Sequence, residues 1–135
     1  MPVTWTFQDS ILVLTLVGEY TFEEPVDAVN TAIEDPRFRR GTSLLIDARQ
    51  STTRRSSEEF RGRSVWMASL LAKGLSPRCA IVVSSAVHQY GMARMAGIYL
   101  DLQGMTLEIF TELAEALDWL LGRRYTVPID QSQPK

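Results

Sequence analysis

Ser85 and His88, three residues apart, are the pair in this 135-residue sequence whose types suit covalent catalysis, with Asp47 as an orienting carboxylate. Acyl transfer needs a hydroxyl within hydrogen-bond reach of an imidazole that a third group holds in place. No Gly-x-Ser-x-Gly elbow surrounds them, and capping of the following helix explains Ser84 or Ser85 without catalysis. A small hydrolase is therefore the weakest of the three function classes that the sequence allows. Metal chemistry has less to stand on: one histidine, one cysteine inside the apolar CAIVV run, and no clustered carboxylates give no ligand set at metal spacing. The RRGTS segment at 39–43 and the scattered glycines make neither a Walker loop nor a dinucleotide fingerprint. The sequence is thus expected to be no enzyme and to need no metal and no cofactor.

Charge is more informative than catalytic motifs. The net charge of −2 argues against a nucleic-acid binder working through bulk charge. Its distribution is uneven, however. Residues 1–35 carry seven acidic side chains and no Lys or Arg, whereas residues 37–63 carry eight Arg against Asp47, Glu58 and Glu59. The cluster at Arg49, Arg54, Arg55, Arg61 and Arg63 marks where an anionic ligand or a partner would approach. Ser56 and Ser57 lie beside Arg54 and Arg55 and are candidate switch residues or caps, because a phosphate there would meet both the helix N-terminal N–H groups and the guanidinium groups.

The elements that must position these residues follow from periodicity. Val3, Trp5 and Phe7 alternate as in a half-buried strand, and Gln8-Asp9-Ser10 supplies a turn into ILVLTLV at 11–17. Thr21 to Glu24 has capping-box spacing, and Phe22, Val26, Val29 and Ile33 share one helical face. The apolar run Leu44-Leu45-Ile46 is expected to be a short buried strand ended by Asp47. Ser56 and Glu59 form a second capping-box pair, opening a helix of about four turns that stops at Gly74. Cys79–Val83 is an interior strand, a helix is expected from Val87 to Leu102, Leu107 and Ile109 mark a strand, and Thr111 caps a last helix. The order β, β, α, β, α, β, α, β, α implies right-handed crossovers and a mostly parallel mixed sheet of five strands with four helices. One domain over residues 1–122 and a C-terminal tail over 123–135 are expected.

In a parallel sheet the strand carboxyl ends gather one rim. Tyr20, Asp47, Arg49, Arg54, Arg55, Ser84, Ser85 and His88 are the candidate ligand or partner rim. On the helix that follows, Tyr90 and Arg94 share one face, and Met92, Met95 and Tyr99 belong to a second, apolar stripe. These five are the candidate interface, since Met and Tyr are favoured contact residues. The start MPVTWTF lacks signal-peptide character and no run approaches the ~20 apolar residues of a membrane span, so a cytoplasmic protein without one is expected.

The element order, with VLTLVGEYTFEE, LLIDAR, AIVVSS, YGMARM and ALDWL, resembles the SpoIIAA-like or STAS domain of anti-sigma factor antagonists, in its uncharacterised branch. The resemblance implies a right-handed β-α superhelix shared with lipid-binding Sec14-like domains. In that family a serine opening the helix after the Asp-ended strand is phosphorylated by a partner kinase, which places Ser56 and Ser57 in the corresponding region. Arg55-Ser56-Ser57-Glu58-Glu59 departs from the Asp-Ser-Ser-Gly-Leu pattern of the phosphorylated members. The first expectation is accordingly a non-enzymatic, bacterial-type regulatory module that binds a protein partner or itself as a homodimer. The alternative is a sensor of a small apolar or anionic molecule, or of a lipid, with an apolar cavity beneath the helices and Arg-rich residues at its entrance.

Overall fold

The computed structural model describes residues 2–84 and 87–122, and of residues 87 and 88 the backbone alone. In β1 (Val3–Gln8) the alternating Val3, Trp5 and Phe7 turn to the core. A two-residue turn, with Asp9 at φ 55°, leads into β2 (Ile11–Gly18), which pairs antiparallel with β1 from Gln8↔Ile11 to Val3↔Leu16. Aspartate tolerates this left-handed conformation because its short side chain can bond locally.

Helix α1 (Glu23–Ile33) realises half of the expected capping box. The Thr21 N–H donates to the Glu24 carboxylate at 2.7 Å, while Phe22 at the cap position is itself helical and its side chain accepts nothing. The buried face is Pro25, Val29 and Ala32, with Phe22, Val26 and Ile33 half-buried on its flanks.

Strand β3 (Ser43–Ser51) corrects the expected end at Asp47 by running four residues further. Its neighbour β4 (Arg78–Val82) stops level with Asp47, so beyond that point β3 is paired with β2 alone. A half-covered strand end tolerates Arg49 and Gln50, which is why the apolar run underestimates its length. The register against β2 steps from Thr15↔Asp47 to Val17↔Gln50, a bulge on β3. The extra residue flips the alternation, so that Ser51 shares a face with Ile46 and Ala48 and Gln50 points away.

Helix α2 (Ser57–Ser69) opens with the full capping box: Glu59 N–H donates to Ser56 Oγ at 3.2 Å and Ser56 N–H to Glu59 Oε1 at 2.9 Å. A 3-10 turn, Leu70–Lys73, ends at Gly74 with φ 109°. A Cβ there would lie 2.9 Å from Arg40 Cγ, so glycine is required twice over. Then come α3 (Val87–Leu102), β5 (Thr106–Phe110) and α4 (Leu113–Leu121). The cap of α4 is Glu112, without a side-chain bond, where the sequence suggests Thr111.

The sheet runs β1-β2-β3-β4-β5, parallel from β2 onward. With strands in sequential order, crossovers of one hand place every crossover helix on the same face. Helices α1 and α3 and the α2 side chain Met67 accordingly join Leu12, Leu14, Leu44 and Cys79 in one core. Among the described residues only α4 covers the other face, over Ile11, Val13, Leu45, Ala80 and Val82. Cys79 is fully buried, and desolvation pushes its thiol up to about 12. No helix among the described residues is long and apolar enough to cross a membrane.

Candidate functional site

The α2 sequence SEEFRGRSVWMAS buries only Ser64 and Met67. A helix with so thin an apolar stripe has little to lay on a sheet, and α2 packs chiefly on α3 and on the 3-10 turn. The gap it leaves over the strands is a cavity of about 140 Å³. Leu14, Leu44, Ile46 and Ile81 form its floor, Phe60, Trp66 and Met67 its α2 wall, and Met92, Ala93 and Ala96 its α3 wall. Native interiors hold few voids larger than a water.

Polar groups are confined to the mouth, at the carboxyl end of β3. Tyr20 Oη lies 3.1 Å from Ser51 Oγ, and the Tyr20 N–H donates to Thr53 Oγ1 at 3.1 Å. Arg55 donates to the Tyr20 carbonyl at 2.7 Å and lies 3.7 Å from Glu59. Its guanidinium sits 5.5 Å from the Tyr20 ring centroid and 5.6 Å from that of Phe22. Arg63 approaches the same Phe22 ring to 4.1 Å and donates to the Phe22 carbonyl. Its Nε is buried and has no acceptor. Such an orphaned donor costs about 1–3 kcal/mol. Burial first, and then the Arg55 charge, lowers the Arg63 pKa from the usual guanidinium value, with Tyr20, Glu23 and Glu59 acting weakly the other way. An arginine nonetheless stays protonated.

Gln89, buried in the first turn of α3, adjoins this polar end. Its amide donates to the Ser51 carbonyl at 2.8 Å and its oxygen accepts from Ser84 N–H at 2.7 Å, tying the ends of β3 and β4 together. Gln89, Ser51 and Thr53 escape sequence reasoning. The run of small hydroxyl residues 51–53 after the strand was the available signal for the latter two; for Gln89 there was none.

Of the expected rim, Tyr20 and Arg55 reach the cavity mouth, and Ser84 bonds to Gln89 beside it. Asp47 and Arg49 do not join them. Asp47 follows Leu45 at the strand period and so leaves the α4 face, bound to Arg49 at 2.8 and 2.9 Å, with the Glu112 charge also acting on Arg49. Arg54 and Ser57 are exposed, and Ser56 is the α2 cap. Ser85 and the His88 side chain lie outside the described residues, as does the 123–135 tail. The five α3 candidates separate. Met92 lines the cavity, Met95 is half-buried, and Tyr99 lies under the Arg61 guanidinium, 5.7 Å from its centroid. Tyr90 and Arg94 face outward.

The architecture, one antiparallel hairpin strand leading into a sequential parallel sheet with three crossover helices on one face, is the SpoIIAA-like fold. The crystal structure of an uncharacterised protein of the DUF3478 family with a SpoIIAA-like fold, from Shewanella loihica PV-4, superposes with a TM-score of 0.56. The two chains are 17% identical, over 87% of this chain and 91% of that one, a likeness that establishes the fold. No protein-family model and no curated protein matches the sequence.

Proposed function

We propose that this SpoIIAA-like domain is a non-enzymatic binding module that takes a small molecule with an apolar body into the cavity between α2, α3 and the sheet. The observation that carries this reading is the 140 Å³ apolar space with its polar groups gathered at one mouth. Ligand sites have this composition: apolar walls supply affinity and a few convergent polar groups fix orientation. An engineered cavity of about 150 Å³ with similar walls binds benzene, which sets the size of the body that fits. The test is a methyl NMR titration with toluene. Shifts confined to Leu14, Ile81, Met92 and Leu100 are expected, and they should vanish in Ala96→Leu, which fills the space. Shifts scattered over the surface, or unchanged by the filling, would contradict it.

A second reading, a protein partner or a second copy of the chain, is favoured by the outer face of α3. Tyr90, Ile98 and Leu102 are 46%, 61% and 74% exposed there. Ile98 and Leu102 line an open groove with Leu107 and Ile109 along the edge strand β5. Light scattering distinguishes it: a monomer at micromolar concentration removes the homodimer.

A further inference from the structure

We infer that the outer face of α3 binds a second copy of this chain, the two α3 helices packing antiparallel across a two-fold axis beside Gly97 and Ile98. This rests on the reading of the α3 face as an interface and adds the partner and the geometry; it is independent of the cavity.

Three observations carry it. Tyr90, Arg94, Ile98, Asp101 and Leu102 repeat at helical spacing and all are exposed, while Gln89, Ala93 and Leu100 bury the opposite face. Of the large apolar side chains left exposed among the described residues, Tyr90, Ile98 and Leu102 share this stripe; Val17 and Val65 lie on other elements. Scattered apolar residues are ordinary on a surface, whereas a set along one face marks a contact. The second observation is shape. Ile98 and Leu102 stand at the groove that Gly97 also lines. A Cβ at Gly97 would meet only Leu107, at 3.9 Å, so the chain's own packing leaves this notch open to the outside. One surface thus carries both a knob and a hole, as an isologous interface needs. The third is charge. Arg94 and Asp101 bracket Ile98 two turns apart, about 10 Å along the axis, and among the described residues neither is in an ion pair. An antiparallel partner centred between residues 97 and 98 sets Arg94 against the partner's Asp101 and Ile98 against the partner's Gly97, and the two-fold axis makes each contact twice. A parallel partner in register would set like charges together. The rival contact at this edge, β5 against β5 across a two-fold axis, is centred on Glu108 of Thr106–Phe110 and would oppose two carboxylates.

The experiment is sedimentation velocity of the full chain at micromolar concentration and low salt, for the unaltered protein, Arg94→Glu, Asp101→Arg and an equimolar mixture of the two variants. The unaltered chain is expected to dimerise. Each substitution alone sets like charges together at two symmetry-related places and should weaken dimerisation roughly ten- to a hundredfold. The mixture should recover the original affinity to within about threefold, because every contact between positions 94 and 101 of the heterodimer then joins opposite charges. A dimer indifferent to both substitutions, or one weakened by both and not recovered on mixing, would overturn the antiparallel α3 pairing and leave the second-copy reading standing. A monomeric unaltered chain would remove that reading and the pairing with it. If either charge variant does not fold, Ile98→Glu, at an exposed position beside the axis, decides. A monomer then supports the pairing, and an unchanged dimer overturns it.

Discussion

The Arg63 guanidinium stacks 4.1 Å from the centroid of the Phe22 ring and donates to the carbonyl of the same residue. On the opposite face of the sheet Arg78 does the same with Trp119, at 4.1 Å from the ring centroid and 3.0 Å from the carbonyl oxygen. The two staples share geometry and differ in setting. Arg78 is exposed, so water completes its hydrogen bonding, whereas Arg63 is half-buried at a cavity mouth with its Nε unmatched. Stapling explains Arg78 fully and explains only part of Arg63.

Phe22 holds both mouth arginines, and its removal should be felt in stability as well as at the site. Phe22→Ala is expected to lower unfolding free energy by about 2 kcal/mol, through lost packing and two lost cation–π contacts. Phe22→Leu should recover part of the packing alone. Urea unfolding monitored by tryptophan fluorescence measures both.

Ser56 has a sufficient role as the α2 cap. Ser56→Ala should cost about 1 kcal/mol, while Ser56→Asp, an equally good cap, should be near neutral. Equilibrium denaturation decides; a Ser56→Ala protein as stable as the parent would mean that the capping box contributes nothing.

The Asp47–Arg49 pair predicts the shape of the acid limb. The Arg49 hydrogen bond, outweighing burial, holds the Asp47 carboxyl below the ordinary value of 3.8. A carboxyl with a depressed folded pKa binds its proton more readily in the unfolded chain. Its stabilisation is present above about pH 4 and is lost as pH falls through the lower, folded value. Asp47→Asn should therefore reduce stability at neutral pH and flatten its decline as pH falls below about 4, seen as thermal midpoints across the acid limb.

Filling the cavity should separate stability from binding. Ala96 lies on the α3 wall of the empty space. Ala96→Leu is expected to hold or raise stability, by up to about 1–2 kcal/mol, while abolishing ligand binding. Loss of stability instead would show that the space is too rigid to accept the added carbons.

The sequence made the fold legible wherever one period covered a whole element. The alternation of Val3, Trp5 and Phe7, the Ser56/Glu59 spacing and the stop at Gly74 each locate an element from its own residues. It misled where coverage changes along an element, as in β3, whose last residues are paired on one side and need no apolar run. The candidate site was half legible. Tyr20, Arg55 and the arginine cluster containing Arg63 could be found from charge and from strand ends. That Asp47 and Ser51 point to opposite faces depends on one bulge, which no local pattern in ARQST announces. The cavity itself follows from what α2 lacks. Its few apolar residues hint at a thin contact, but the space this leaves takes shape only when α1, α3 and the strands are assembled around it.

The most direct measurement is a crystal structure of the chain soaked with toluene. The ring is expected among Ile46, Ile81 and Met92. An empty cavity at saturating ligand, or α2 collapsed onto the sheet with no space beneath it, would contradict the role given to this site.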